Sequence, residues 1–169
     1  MSYEDILKDL KERKFKPIYF LHGEEPYYID SIVKFASENI LKESERDFNQ
    51  TILYAKDTPA LNVLDAATRL PMMSEYNVVI VKEAQEYKRA SQWEEFEQYF
   101  ESPSNSTILI FAHKYKKFDK RSRIYKILAK KAVVFESKGV KDYQLAAWIN
   151  EYVRKKGWNM TDKACALVA

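Results

Sequence analysis

One cysteine, Cys165, stands among 169 residues, so no intramolecular disulfide can form. With only His22 and His113 to help it, a cysteine-based zinc site has no ligand set. No stretch approaches the ~18 apolar residues of a membrane span. The amino terminus, MSYEDILKDL, opens with carboxylates, unlike the basic and apolar regions of a secretory signal. Internal repeats and Pro-rich or Gly/Ser-rich segments are missing too. These absences predict a protein of the reducing cytoplasm with no membrane partner. The formal charge of +3 is too small to mark a nucleic-acid binder, so any such role must rest on where the charges sit. What is present is a 46% hydrophobic share, enough to fill a packed core, in a chain about one domain long.

Hydrophobic period divides the chain into alternating helices and strands. Ile6, Leu7 and Leu10 mark an amphipathic helix over Tyr3–Lys14, stopped by Pro17. Ile18–Leu21 follows as a buried strand closed by Gly23. A helix over Tyr27–Leu41 keeps Ile29, Ile32, Val33, Ala36, Ile40 and Leu41 on one face. Further strands are expected at Phe48–Tyr54, Asn77–Val81, Thr107–Ala112 and Val133–Phe135. Helices are expected at Pro59–Arg69 (Leu61, Leu64 and Ala67 inward), around Trp93, Phe96 and Phe100, and at Arg121–Lys131. Uninterrupted apolar strands are buried on both faces. Their alternation with helices predicts a three-layer α/β sandwich around a mostly parallel five-stranded sheet.

After Ser137-Lys138-Gly139 the pattern changes. Lys141–Lys156 reads as a helix carrying Leu145, Trp148, Ile149, Tyr152 and Val153, ended by Gly157. Thr161-Asp162 starts another, whose apolar residues run to Ala169; Cys165 shares its stripe with Ala164, Leu167 and Val168, where packing is its expected role. An α/β domain over 1–138 and the beginning of a second, helical domain over 139–169 are expected.

Parallel sheets bind ligands at the carboxyl ends of their strands, so the first strand–helix junction comes first. It reads Gly23-Glu24-Glu25-Pro26-Tyr27-Tyr28-Ile29-Asp30. Against the phosphate-loop pattern G-x-x-x-x-G-K-[ST], only Gly23 matches; Tyr28, Ile29 and Asp30 replace the second glycine, the lysine and the hydroxyl residue. The close backbone approach, the cation and the magnesium ligand are all lost, and no nucleotide cofactor is expected. Glu24, Glu25 and Glu83 offer an alternative, a magnesium-dependent nucleic-acid or nucleotide enzyme. The same glutamates also suit a helix amino end, whose dipole favours anions. His22 and His113 have no triad partners in view, and no catalytic residue or metal ligand is assigned.

Two further constellations have two readings each. Lys114, Lys116, Lys117, Lys120, Arg121 and Arg123 run on into Lys126, Lys130 and Lys131, with Tyr115, Phe118 and Tyr125 interleaved. They form either a solvated face or a contact patch, which meets a neighbouring subunit or, as in a basic nucleic-acid-binding domain, phosphates of DNA while its aromatics stack. In Thr68-Arg69-Leu70-Pro71-Met72-Met73-Ser74, large apolar side chains stand where a polar turn is expected. Leu70, Met72 and Met73 either fold back onto the core or form an exposed plug for a partner's pocket.

The segments PIYFLHGEEPYYID and AATRLPMMSEYNVVIVK, with the spacing of WEEF, TILIF and AVVF, resemble the bacterial DNA polymerase III delta subunit family. The resemblance covers nearly the whole chain. It implies a phosphate-loop-NTPase-like (AAA+-like) fold without a nucleotide site. The implied role is a non-catalytic clamp-loader subunit that binds the ring-shaped sliding clamp (the beta subunit) and opens one interface. The holoenzyme it serves is a nucleotidyltransferase, the replicative DNA-directed DNA polymerase. Gamma/tau and delta prime subunits are the other implied partners. Met72 and Met73 match the family's two bulky plug residues and Leu70 the one before them. Where many relatives carry Phe-Phe or Leu-Phe, the Met-Met pair keeps the polarity and changes the shape. The resemblance further implies that 139–169 begin a helical lid, with the family's carboxyl-terminal collar absent from this sequence.

Overall fold

Ser2 starts the first helix in the computed structural model, which describes residues 1–139, 142–155 and 157–168. Its hydroxyl accepts from the Asp5 amide while the Asp5 carboxylate accepts from the Ser2 amide, a reciprocal cap. Helix α1 (Tyr3–Lys11) buries Ile6 and Leu10. Strand β1 (Ile18–Gly23) is buried throughout, and Pro26 opens α2 (Pro26–Asn39) at a position where its missing N–H costs nothing. Then come α3 (Glu43–Asn49), β2 (Gln50–Tyr54), α4 (Ala60–Thr68) and β3 (Asn77–Lys82). Helices α5 (Ala90–Glu94) and α6 (Glu97–Glu101) lead into β4 (Thr107–His113), α7 (Arg123–Lys131) and β5 (Val133–Ser137).

The five strands form one parallel sheet in the order β2-β3-β4-β1-β5. Interior strand β1 places Phe20 between Phe111 of β4 and Val134 of β5. Alternate side chains feed two cores. Ile18, Phe20, Val79, Val81, Leu109 and Phe111 pack toward residues of α4 to α7. Tyr19, Leu21, Val78, Ile80, Ile108 and Ile110 pack toward α1 and α2. Each such side chain contributes roughly 1.5–3 kcal/mol when fully buried, which is why the strands are apolar on both faces. Helices cover both faces of the parallel sheet, the three-layer α/β sandwich that the sequence predicts.

Several local expectations are corrected. Phe48 and Asn49 end helix α3 rather than begin a strand; Phe48 is exposed and Asn49 is buried. That helix has no apolar period, and its start is fixed by the Glu45 carboxylate, which accepts from the Lys42 amide at 2.9 Å. In α4 the buried residues are Ala60, Val63, Ala66 and Ala67, while Leu61 is 66% exposed. The helix around Trp93 is two short ones, α5 and α6. Strand β2 lies at the sheet edge, with Ile52 and Tyr54 exposed.

Residues Met1–Ser137 form one compact unit and Lys138–Ala169 another. In the second, α8 (Asp142–Lys155) and α9 (Asp162–Val168) are joined by a hydrogen bond that Asn150 donates to Asp162 Oδ1. Gly157, at φ +79°, makes the left-handed turn after α8. Cys165 is buried, whereas Leu167 and Val168 of its expected stripe are exposed. Lys141, Lys156 and Ala169, the outer ends expected for these helices, lie outside the described residues. Among the described residues, no helix is long and apolar enough to cross a membrane.

Candidate functional site

The segment between α4 and β3 carries its apolar side chains outward. Leu70 is 81% exposed, Met72 62% and Met73 102%. Its backbone is held on both sides. At the end of α4, Thr68 Oγ1 donates to the Leu64 carbonyl at 2.9 Å. Buried Asn77, the first residue of β3, donates from Nδ2 to the carbonyl oxygens of Ala66 (2.8 Å) and Arg69 (3.4 Å). Tyr99 OH donates to the Ala67 carbonyl at 3.3 Å. These bonds occupy carbonyls that a helix end leaves unpaired.

The second anchor is Asn49, 2% exposed at the end of α3. Its Nδ2 donates to the Met72 carbonyl at 2.9 Å, and its Oδ1 accepts from the Met72 amide at 2.6 Å. Met73 follows in the left-handed region at φ +54°. The loop thus holds its backbone polar groups inward and its apolar side chains outward. Of the two readings of Leu70, Met72 and Met73, folding back onto the core is not the arrangement seen.

The β1–α2 junction is filled by the protein itself. The Glu24 amide donates to the Ser137 carbonyl at 3.0 Å, and Ser137 Oγ donates to the Glu25 carbonyl at 2.7 Å. The Glu25 carboxylate caps α2 by accepting from the Tyr27 amide at 3.0 Å, so a side-chain anion sits where a phosphate would. Ile29, at the position of the phosphate-loop lysine, is buried in the core beneath α2. Tyr28 packs edge-on against Tyr3 and Tyr27 at 5.0 and 5.3 Å between ring centroids.

Residues of the basic run descend onto the same junction. Gly23 bridges Lys116 in antiparallel fashion, and the Phe118 amide donates to His22 Nδ1 at 3.2 Å. Lys114 Nζ lies 3.1 Å from Asp30, and Lys117 Nζ 3.4 Å from Glu24. Lys120 pairs with Glu136, Arg121 with Asp119 and Arg123 with Glu97. Each exposed pair adds little stability, but together they set an acid against five of the six basic residues singled out in the run.

Glu24 and Glu25 are therefore engaged separately, and Glu83 turns the chain after β3 at φ +55°. Among the described residues, no group of three His, Cys, Asp or Glu side chains could hold a metal ion. His22 and His113 lie side by side on β1 and β4. Burial lowers the pKa of each to about 4. His22 Nε2 and His113 Nδ1 have no protein hydrogen-bond partner.

The sequence assigns no role to Asn49 or Asn77, because a polar residue at the start of a strand carries no signal of the partner it will meet. Their bonds reach 23 residues for Asn49 to Met72 and 11 for Asn77 to Ala66, which no local pattern encodes.

Comparison with known proteins adds the family. A family model described as DNA polymerase III, delta subunit, matches residues 19–138. The DNA polymerase III subunit delta of Bacillus subtilis (strain 168) is 28% identical over 141 residues, covering 79% of this chain and 41% of that protein. The chain thus spans less than half the length of that relative. Among solved structures, a Bacillus subtilis DNA clamp loader delta protein aligns with a TM-score of 0.80 at 23% identity, over 98% of this chain and 51% of that one. A DNA polymerase III gamma subunit-related protein of Thermotoga maritima aligns at 0.58 and 10% identity, over 94% of this chain and 55% of that one. The Aeropyrum pernix ORC2 protein aligns at 0.52 and 14%, over 90% and 50%. The last three likenesses speak to the fold, whereas the match over 19–138 speaks to descent: this chain belongs to the DNA polymerase III delta subunit family.

Proposed function

We propose that this chain is the clamp-facing part of a clamp-loader delta subunit, which binds the sliding clamp and opens its ring for loading onto primed DNA. The observation that carries this reading is the loop of Leu70, Met72 and Met73: three large apolar side chains, outward on a backbone fixed by buried asparagines. Such a patch loses solvent-exposed area only by entering a partner's pocket, and methionine adapts to the pocket it meets. The subunit is itself non-catalytic and needs no ATP of its own, since Ile29 and Glu25 occupy the ground of a phosphate site. The energy of loading comes from ATP in partner subunits, gamma/tau and delta prime. Residues 139–169 belong to a helical lid.

The test is a binding titration of the chain against a purified bacterial sliding clamp. Burying Met72 and Met73 together is worth about 3 kcal/mol or more. The variant Met72→Ala/Met73→Ala therefore loses about a hundredfold in affinity. Its melting temperature stays near that of the parent, because neither side chain fills a core. A variant that melts early yet holds the clamp overturns the reading.

A further inference from the structure

Three large apolar side chains on a free surface loop would collapse onto the nearest core. The Met72 backbone resists this because one side chain holds both its polar groups. Asn49 donates to the Met72 carbonyl at 2.9 Å and accepts from the Met72 amide at 2.6 Å. Asn49 is fixed in turn: its Nδ2 also donates to the Glu45 carbonyl at 2.9 Å, and it is nearly inaccessible to solvent. The next residue, Gln50, enters β2 in register with Val78 of β3. Through this carboxamide the Met72 backbone is tied to the start of β2. Chemistry limits what could replace it. A donor and an acceptor pointing the same way from one planar group are offered by the Asn and Gln carboxamides, whereas those of an imidazole diverge, and Gln is one methylene too long for the same geometry. Asp keeps the acceptor and sets a carboxylate against two carbonyl oxygens.

We infer that Asn49 is a positioning residue of the clamp-binding loop, holding Met72 and Met73 outward before the partner arrives. The inference rests on the reading of Leu70, Met72 and Met73 as the clamp-binding residues. Asn49 is too buried to touch the clamp and acts through the Met72 backbone. Its contribution is the ordering cost that a pre-set loop avoids on association.

The experiment compares the whole chain with Asn49→Asp, Asn49→Ala and Met72→Ala/Met73→Ala, using purified bacterial sliding clamp and amide hydrogen exchange. The parent's Met72 amide exchanges slowly despite its exposed loop. In Asn49→Ala, which removes the acceptor of that amide, it exchanges like an open amide while β3 and β4 stay protected. Clamp affinity falls on the order of tenfold, chiefly through slower association. A fast-exchanging Met72 amide in the parent overturns the inference, and so does an Asn49→Ala that frees that amide yet associates at the parental rate. Loss of sheet protection in both Asn49 variants would make the residue one of general stability and overturn it too. If instead Met72→Ala/Met73→Ala binds the clamp normally, the underlying reading of the loop fails, whatever Asn49 does.

Discussion

Gly23 and Ser137 meet so closely that a β-carbon on Gly23 would lie 1.9 Å from the Ser137 carbonyl oxygen. The one glycine that matches the phosphate-loop pattern is therefore required by a strand contact. Its φ of +144° adds a second reason, since side chains with a β-carbon rarely adopt it. Both penalties fall on backbone that the central strand cannot move. Gly23→Ala should lose about 3 kcal/mol or more of stability. Equilibrium denaturation measures this, and a variant within 1 kcal/mol of the parent (about fivefold in the folding constant) would show that the junction can relax.

The same junction predicts the behaviour toward nucleotide. With the Glu24 amide given to Ser137 and the helix start given to Glu25, no amide cradle is left for a triphosphate. Titration of ATP with magnesium should give no heat of binding. Restoring the lysine by Ile29→Lys should not help, because Ile29 is wholly buried and a core ammonium costs several kcal/mol. Loss of stability without gain of ATP binding is the expected pair of results. Micromolar ATP binding by either protein would contradict it.

Much of this fold is legible in the sequence, and the places where it is not are tertiary. Strands β1, β3 and β4 show as unbroken apolar runs because both their faces are covered. Helix α3 does not show, since its residues carry no stripe and its end is fixed by the bond from Asn49 to a loop that comes later in the chain. Leu61 misleads in α4 because small residues, Ala60, Ala66 and Ala67, make the close packing there. The apolar loop stands out because methionines occupy a turn. The acids that face the basic run cannot be read, since Lys114 and Asp30 are 84 residues apart.

His22 and His113 make stability depend on pH. Burial is the leading cause that holds both imidazoles at a pKa of about 4, against 6.5 for a free group. As pH falls through 6.5 the unfolded chain takes up protons that the folded chain refuses. Stability is therefore full above pH ~7, declines between about 6.5 and 4, and levels off below as the folded state protonates. At pH 5 the loss is on the order of 2 kcal/mol per histidine. Urea denaturation at pH 7.5 and 5 reads it. His113→Phe, placing another ring among Phe20, Trp93 and Phe118, should remove about half of the difference. An unchanged difference would place its source elsewhere.

On the proposed reading, Met73 sets stability against binding. It is a fully exposed side chain on a backbone at φ +54°, a conformation that costs a residue with a β-carbon roughly 1–2 kcal/mol. Glycine adopts that conformation freely but gives up about 0.5–1 kcal/mol through the greater freedom of its unfolded chain. Met73→Gly should therefore be as stable as the parent or up to about 1.5 kcal/mol more stable. Its clamp affinity should move the other way. Losing one buried apolar side chain costs roughly 1.5–3 kcal/mol, or a tenfold to hundredfold weaker complex. Glu83 holds the same left-handed backbone in a turn, so the conformation by itself assigns no function and binding has to be measured. A denaturation curve and a clamp titration on the same protein decide the matter. If Met73→Gly binds as tightly as the parent, Met73 is not part of the plug, and its strained backbone has no account in clamp binding.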